Sequence, residues 1–144
     1  MKHRRAGKKL TRDTQHRLAL RRNLVRALLI NGRITTTMAK AKSTQPFVDK
    51  LVTRAKKAAQ LKQDPARRAD YVHQVRLLAR DVQDRKLLAL LVDVVAPMCM
   101  DRPGGYTRIM RAAKNSLGDN APQAIWEFVD RAQVEEEEPE TAAK

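Results

Sequence analysis

The first 62 residues of this chain carry 18 Lys or Arg side chains against two Asp or Glu, a net charge of +16. That segment cannot neutralise itself by internal ion pairing, so its cations must stay on a surface and meet an anion from elsewhere. Residues 63–131 are close to balanced at +2, and residues 132–144 are acidic at −4, which leaves +14 over 144 residues. The anion-binding potential therefore lies in the N-terminal part. The partner classes it admits are DNA, RNA, an acidic membrane and an acidic protein. Hydrophobic residues make up 42% of the chain but aromatics only 3%, enough for the aliphatic core of one domain. No run of about eighteen apolar residues is present, so a spanning helix is excluded. No apolar h-region follows the basic N-terminus, which argues against a secretory signal. The single cysteine, Cys99, cannot form an internal disulfide or a multi-cysteine zinc site, and it suits a reducing compartment.

Residues 1–12 offer no hydrophobic face and read as an extended basic arm that orders against a partner. Asp13 or Thr14 caps a first helix through Leu18, Leu24, Val25, Leu28 and Leu29, and Asn31-Gly32 ends it. Arg33 to Thr37 is short and β-branched, a strand. Thr37 then opens a second helix reaching about Lys62, read as continuous but kinked at Pro46. Asp64-Pro65 starts a third helix over 65–80, expected to bury Val72, Val75, Leu78 and Ala79, with Ala69 one turn earlier. Asp81 to Asp84 breaks the chain and caps an apolar helix from Lys86, which Pro97 is expected to stop. A loop over 101–105 precedes a strand from Tyr106 to about Lys114, a turn over 115–122 and the clearest strand, Gln123 to Asp130. In that strand Ala124, Trp126 and Phe128 alternate against Gln123 and Glu127, and the last two strands should pair as a hairpin. The expected fold is α+β: a small three-stranded sheet covered by helices, in the order helix, strand, three helices, two strands. The expected domains are an arm (1–12), a globular body (13–131) and a self-repelling, disordered acidic tail (132–144).

An enzyme needs a nucleophile, an acid–base group or a metal. His3 and His16 sit among arginines, and neither a His-Glu-x-x-His nor a Walker sequence occurs. Asp119, in Gly118-Asp119-Asn120, reads as a turn residue, and Cys99 as a buried hydrophobe beside Met98 and Met100. The residues expect no enzyme, no cofactor and no metal. The basic stretch carries more. Lys2, Arg4, Arg5, Lys8, Lys9 and Arg12 lie on the arm, and each can neutralise a phosphate and release a counterion. On the first helix, Arg17 with Arg21 and Arg22 with Arg26 form two basic stripes, and arginine grips phosphates and stacks on unpaired bases. Physics alone gives a polyanion binder that suits folded RNA, with no helix-turn-helix, zinc finger or zipper.

Several blocks resemble the bacterial large-subunit ribosomal protein family numbered seventeen. They are Met1-Lys2-His3-Arg4, Gly7, Leu10, Arg12, His16-Arg17 and Arg22-Asn23, then Ile34 to Thr37 with Lys40-Ala41-Lys42. Arg102 to Ile109 and Gly118 to Pro122 complete them, in the family's order. The resemblance spans residues 1 to about 131 and leaves the acidic tail out. Between Arg108 and Gly118 the chain is about one residue longer than the family pattern, and Asn115-Ser116-Leu117 stands where Arg or Gly is usual.

The resemblance implies a structural component of the cytoplasmic ribosome that binds large-subunit ribosomal RNA. Such a protein lies beside other large-subunit proteins, near the nascent-chain exit region, without a membrane and not as a free homo-oligomer. The residues expected on RNA are Lys2, His3, Arg4, Arg5, Lys8, Lys9, Arg12, His16, Arg17, Arg21, Arg22 and Arg26, joined by Lys40, Lys42, Tyr106, Arg108 and Arg111. Lys114 is a further phosphate ligand. Tyr106 has two readings, stacking on a base or capping the core, and both stay open at this point. The alternatives to the ribosomal reading are a free-standing nucleic-acid chaperone or nucleoid-type DNA binder, and an RNA-acting enzyme using Asp119 or His16. An organellar ribosome is disfavoured because the matching block starts at Met1 with no transit peptide before it.

Overall fold

The computed structural model describes residues 7–130. Helix α1 (Thr14–Asn31) begins where the Asp13 side chain accepts from the His16 N–H, and it ends where Gly32 turns left-handed at φ 64°. Only glycine takes that conformation freely, and here it lets the Gly32 N–H bond the Leu28 carbonyl at 2.8 Å. Strand β1 (Arg33–Thr37) follows at once. Helix α2 (Met38–Lys62) runs through Pro46 as one element. The hydrogen bond that Pro46 cannot donate is offset by a long apolar stripe, Ala41, Val48, Leu51, Val52, Ala55 and Ala58, all buried.

Asp64 caps a short 3-10 turn (Pro65–Arg67) that leads into α3 (Arg68–Ala79). Two sequence expectations change in this stretch. Leu78 is the one buried residue of α3; Val72 and Val75 are half-buried, and Ala69 and Ala79 are exposed. The helix packs along α2 and reaches the core through Leu78 and, two turns earlier, the half-buried Tyr71. Pro97 also fails to stop its helix. Helix α4 (Arg85–Leu90), capped by Asp84, continues through a π turn (Leu91–Val95) into a last helical turn (Ala96–Met98) that contains Pro97. The widened turn lies where the ring of Pro97 would otherwise meet the carbonyl four residues back.

Strands β2 (Thr107–Arg111) and β3 (Gln123–Phe128) pair antiparallel, and β1 joins the other edge of β3, giving the order β1-β3-β2. β2 is shorter than its sequence suggests, since the Ala112 N–H makes the last bond to β3 and the chain then turns at 115–121. Trp126 and Phe128 face the core, where α1, α2 and the π turn meet the sheet, and Cys99 lies buried there too. Burial pushes the Cys99 thiol up. Among the described residues no helix is long and apolar enough to cross a membrane.

Candidate nucleic-acid interface

The two basic stripes of α1 have different fates. Arg22 Nη2 donates to the Arg80 carbonyl at the end of α3, at 2.8 Å, and Arg26 lies 4.0 Å from Asp84. This stripe faces the 80–87 corner and fastens α1 to the body. The other stripe, Arg17 and Arg21, is half-buried. Arg17 reaches only Thr14, one turn back, at 3.1 Å. A Cβ built on Gly7 would lie 3.7 Å from Arg21 Nη2, so the arm passes beside the Arg21 head. Over 7–12 the arm has neither helix nor strand, and it bends where Leu10 and Thr11 take φ 56° and 51°. The bend is closed by the Arg12 N–H on the Lys9 carbonyl. Lys8 follows directly on Gly7 beside Arg21, and Lys9 and Arg12 flank the bend. Among the described residues none of these five cations lies within 4 Å of a carboxylate, whereas Arg26 does. His16 is exposed on the same first turn. Lys2, His3, Arg4 and Arg5 lie outside the described residues.

At the other end of the body, Lys40 and Lys42 stand in the first turns of α2. The Thr37 side chain makes no capping bond, and the Met38 N–H goes to the Pro122 carbonyl at 2.9 Å. Neither lysine has a carboxylate within 4 Å among the described residues, and Arg111 and Lys114 are likewise unpaired and exposed at the β2 end.

The structure settles the two readings of Tyr106. The ring is 1% exposed, its hydroxyl lies 3.3 Å from Thr53 Oγ1, and Lys56 Nζ lies 5.2 Å from the ring centroid. No face is left for a base, so Tyr106 caps the core. Arg108 is engaged at one edge, because its Nε donates to Glu127 at 2.6 Å, while its side chain stays 56% exposed. Glu127 was expected to point outward with Gln123. It is 7% exposed because Arg33 and Arg108, its partners in the register on both sides, close over it. Arg33 was missed in the sequence, since only the β1–β3 pairing brings it to Glu127.

Asp119 is a turn residue as expected. The Ala121 N–H donates to its carboxyl and holds it below the usual range, and the Ser116 N–H on the Ala121 carbonyl closes the 115–121 turn. Among the described residues no three His, Cys, Asp or Glu side chains gather as a metal site requires. A small α+β body with a carboxylate-free cationic helix face and arm has the build of a polyanion-binding structural protein.

Comparison with known proteins narrows that class. The family model for Ribosomal protein L17 matches residues 20–129. A Thermus thermophilus protein named Large ribosomal subunit protein bL17 is 46% identical over 130 residues, covering 90% of this chain and 100% of its own length. A protein of that name from Thermomicrobium roseum is 44% identical, covering 90% of this chain and 99% of its own length. One from Anaeromyxobacter sp. (strain Fw109-5) is 42% identical, covering 100% of this chain and 78% of its own length. The chain belongs to the ribosomal protein L17 family, whose members are structural rather than catalytic.

Proposed function

We propose that this protein is a structural constituent of the large ribosomal subunit, as its relatives' names state for them. We further propose that it holds ribosomal RNA through its N-terminal arm and the Arg17–Arg21 face of α1, on the solvent side near the nascent-chain exit. The observation that carries this reading is that Lys8, Lys9, Arg12, Arg17 and Arg21, around the bend at Leu10–Thr11 and the start of α1, have no carboxylate within 4 Å among the described residues, with Asp13 spent on capping the helix. Its charge acts on RNA in three ways. It neutralises phosphates, releases their counterions, and relieves repulsion between RNA segments that pack together. Lys40, Lys42 and Arg111 supply further phosphate contacts from the opposite end of the body, and neighbouring large-subunit proteins complete the surroundings.

The test is incorporation. Tagged protein with or without residues 2–12 is expressed in cells, and lysate is fractionated on sucrose gradients. The full chain should sediment with large subunits. The truncated chain should fall to a minor fraction, and its affinity for transcribed large-subunit RNA should lose about four units of salt slope. Unchanged incorporation and slope would remove the arm as an anchor. Sedimentation of the full chain with DNA, away from ribosomes, would favour the nucleoid-type alternative.

A further inference from the structure

We propose that the open face of the sheet is a second RNA-contacting surface, on which Arg33 and Arg108, held by Glu127, form a two-arginine clamp for one backbone phosphate. The inference rests on the RNA-binding reading above and adds to it a site that the arm and α1 do not include.

Helices α1 and α2 pack against one side of the sheet, where Trp126 is fully buried. Side chains alternate along strands, so residues in register with Glu127 and every second position from it share the opposite side. The first row across the three strands is Arg33, Glu127 and Arg108. The next is Thr35, Ile125 and Met110. Among the described residues no helix covers this side, yet the Glu127 side chain is only 9% exposed. The two arginines are what cover it. Arg108 Nε lies 2.6 Å from Oε1 and Arg33 Nε 3.4 Å from Oε2, so each arginine has its own carboxylate oxygen.

A guanidinium has five N–H donors; Arg108 gives its Nε–H to Glu127, while Arg33 meets the same carboxylate as an ion pair. Among the described residues neither arginine gives an Nη hydrogen to a protein acceptor. The two side chains remain 49% and 56% exposed. Two cations share one carboxylate, so the row keeps a net charge of one positive unit. Glu127 is also the one carboxylate in the three strands. A one-to-one cross-strand ion pair would be neutral. This row is positive, faces solvent and is tied in place, so its forks lose little side-chain entropy on gripping a phosphate. The neighbouring row of Thr35, Ile125 and Met110 is uncharged, with Met110 36% exposed, and can lie along ribose and base edges without repelling them. Glu127 is thus a positioning residue, and the arginines make the contact.

The experiment measures affinity of the full chain for transcribed large-subunit ribosomal RNA at fixed salt, alongside thermal unfolding. Glu127→Gln makes the protein one unit more positive. Charge counting alone predicts tighter binding; the clamp predicts about threefold weaker binding, because the forks lose their shared anchor. The double variant Arg33→Lys, Arg108→Lys keeps every charge, loses the forks, and should bind about fivefold more weakly. A purely structural triad would lower the melting temperature and leave the affinity of folded protein unchanged. Wild-type affinity in the folded lysine pair overturns the clamp, and tighter binding by folded Glu127→Gln overturns its positioning role. If Glu127→Gln does not fold, the lysine pair alone decides. Failure of the wild-type chain to bind this RNA would instead defeat the reading on which the clamp rests.

Discussion

The two arginine stripes of α1 meet at the adjacent residues Arg21 and Arg22 and have different surroundings. Arg22 and Arg26 reach the 80–84 corner, Arg22 hydrogen-bonded to the Arg80 carbonyl and Arg26, still exposed, beside Asp84. Arg17 and Arg21 face the arm, with no carboxylate within 4 Å among the described residues. The same division runs through the N-terminal 62 residues. Every carboxylate that pairs with one of their cations among the described residues comes from the later, nearly neutral part. The pairs are Arg26 with Asp84, Arg33 with Glu127, Arg54 with Asp81, and Lys62 with Asp93. The middle of the chain is therefore not only a mixed surface. Its carboxylates pair with some N-terminal cations and leave others without a carboxylate, and the proposed RNA contact falls to the latter. Net charge along the sequence locates the surplus, but only the fold says which cations form it.

The sharpest way to separate body from basic surface is to damage the body alone. Trp126→Ala empties a fully buried site on the central strand and should cost about 3–5 kcal/mol in a denaturant titration. The protein that remains folded should bind RNA as before. A loss of affinity beyond the unfolded fraction would mean that the two regions are not independent.

A smaller effect belongs to the Arg102–Asp130 pair, which joins the 101–105 loop to the end of β3 through bonds of 2.8 and 2.9 Å. Arg102 holds the Asp130 carboxyl below its ordinary value of 3.8. A lowered carboxylate stabilises the fold above its unfolded pKa, and that contribution fades as pH falls through the folded value. Asp130→Asn should lower the neutral-pH melting temperature by roughly 2 °C and flatten its fall below about pH 4, with RNA affinity unchanged. An unchanged acid profile would show that the pair contributes nothing.

The smallest expected effect has the opposite sign. Burial raises the Asp49 carboxyl, so the ionised form present at neutral pH costs stability, and that cost disappears as pH falls through the folded value. Asp49→Asn should raise the neutral-pH melting temperature by about 1–3 °C, and the gain should vanish in acid. A destabilised variant would mean that the bond from the Tyr106 N–H needs the charge.

How much of this was legible in the sequence follows the range of each interaction. The ends of α1 and the start of α4 depend on Asp13, Gly32 and Asp84, which act within a few residues, and they fall where the sequence puts them. The continuity of α2 through Pro46 and the alternation of β3 are periodic patterns and were also readable. Family blocks supplied the class of partner. What could not be read depends on distant partners. Arg22 meets a carbonyl 58 residues away, and Glu127 is buried by arginines from two other strands. Tyr106 is buried under Lys56 and Thr53 of α2. Helical spacing shows that Arg17 and Arg22 lie on different faces; it cannot show which face meets the body.

The central claim is that the Arg17–Arg21 face binds RNA while the Arg22–Arg26 face holds the fold. The direct measurement compares Arg17→Ala, Arg21→Ala with Arg22→Ala, Arg26→Ala, reading the salt dependence of affinity for large-subunit ribosomal RNA and the melting temperature of each. The first pair should lose about two units of salt slope with little change in melting temperature. The second should lose less than about one unit of slope, while its melting temperature falls by about 4 °C. Equal slopes for the two pairs, or the larger loss of slope in the second, would contradict the account.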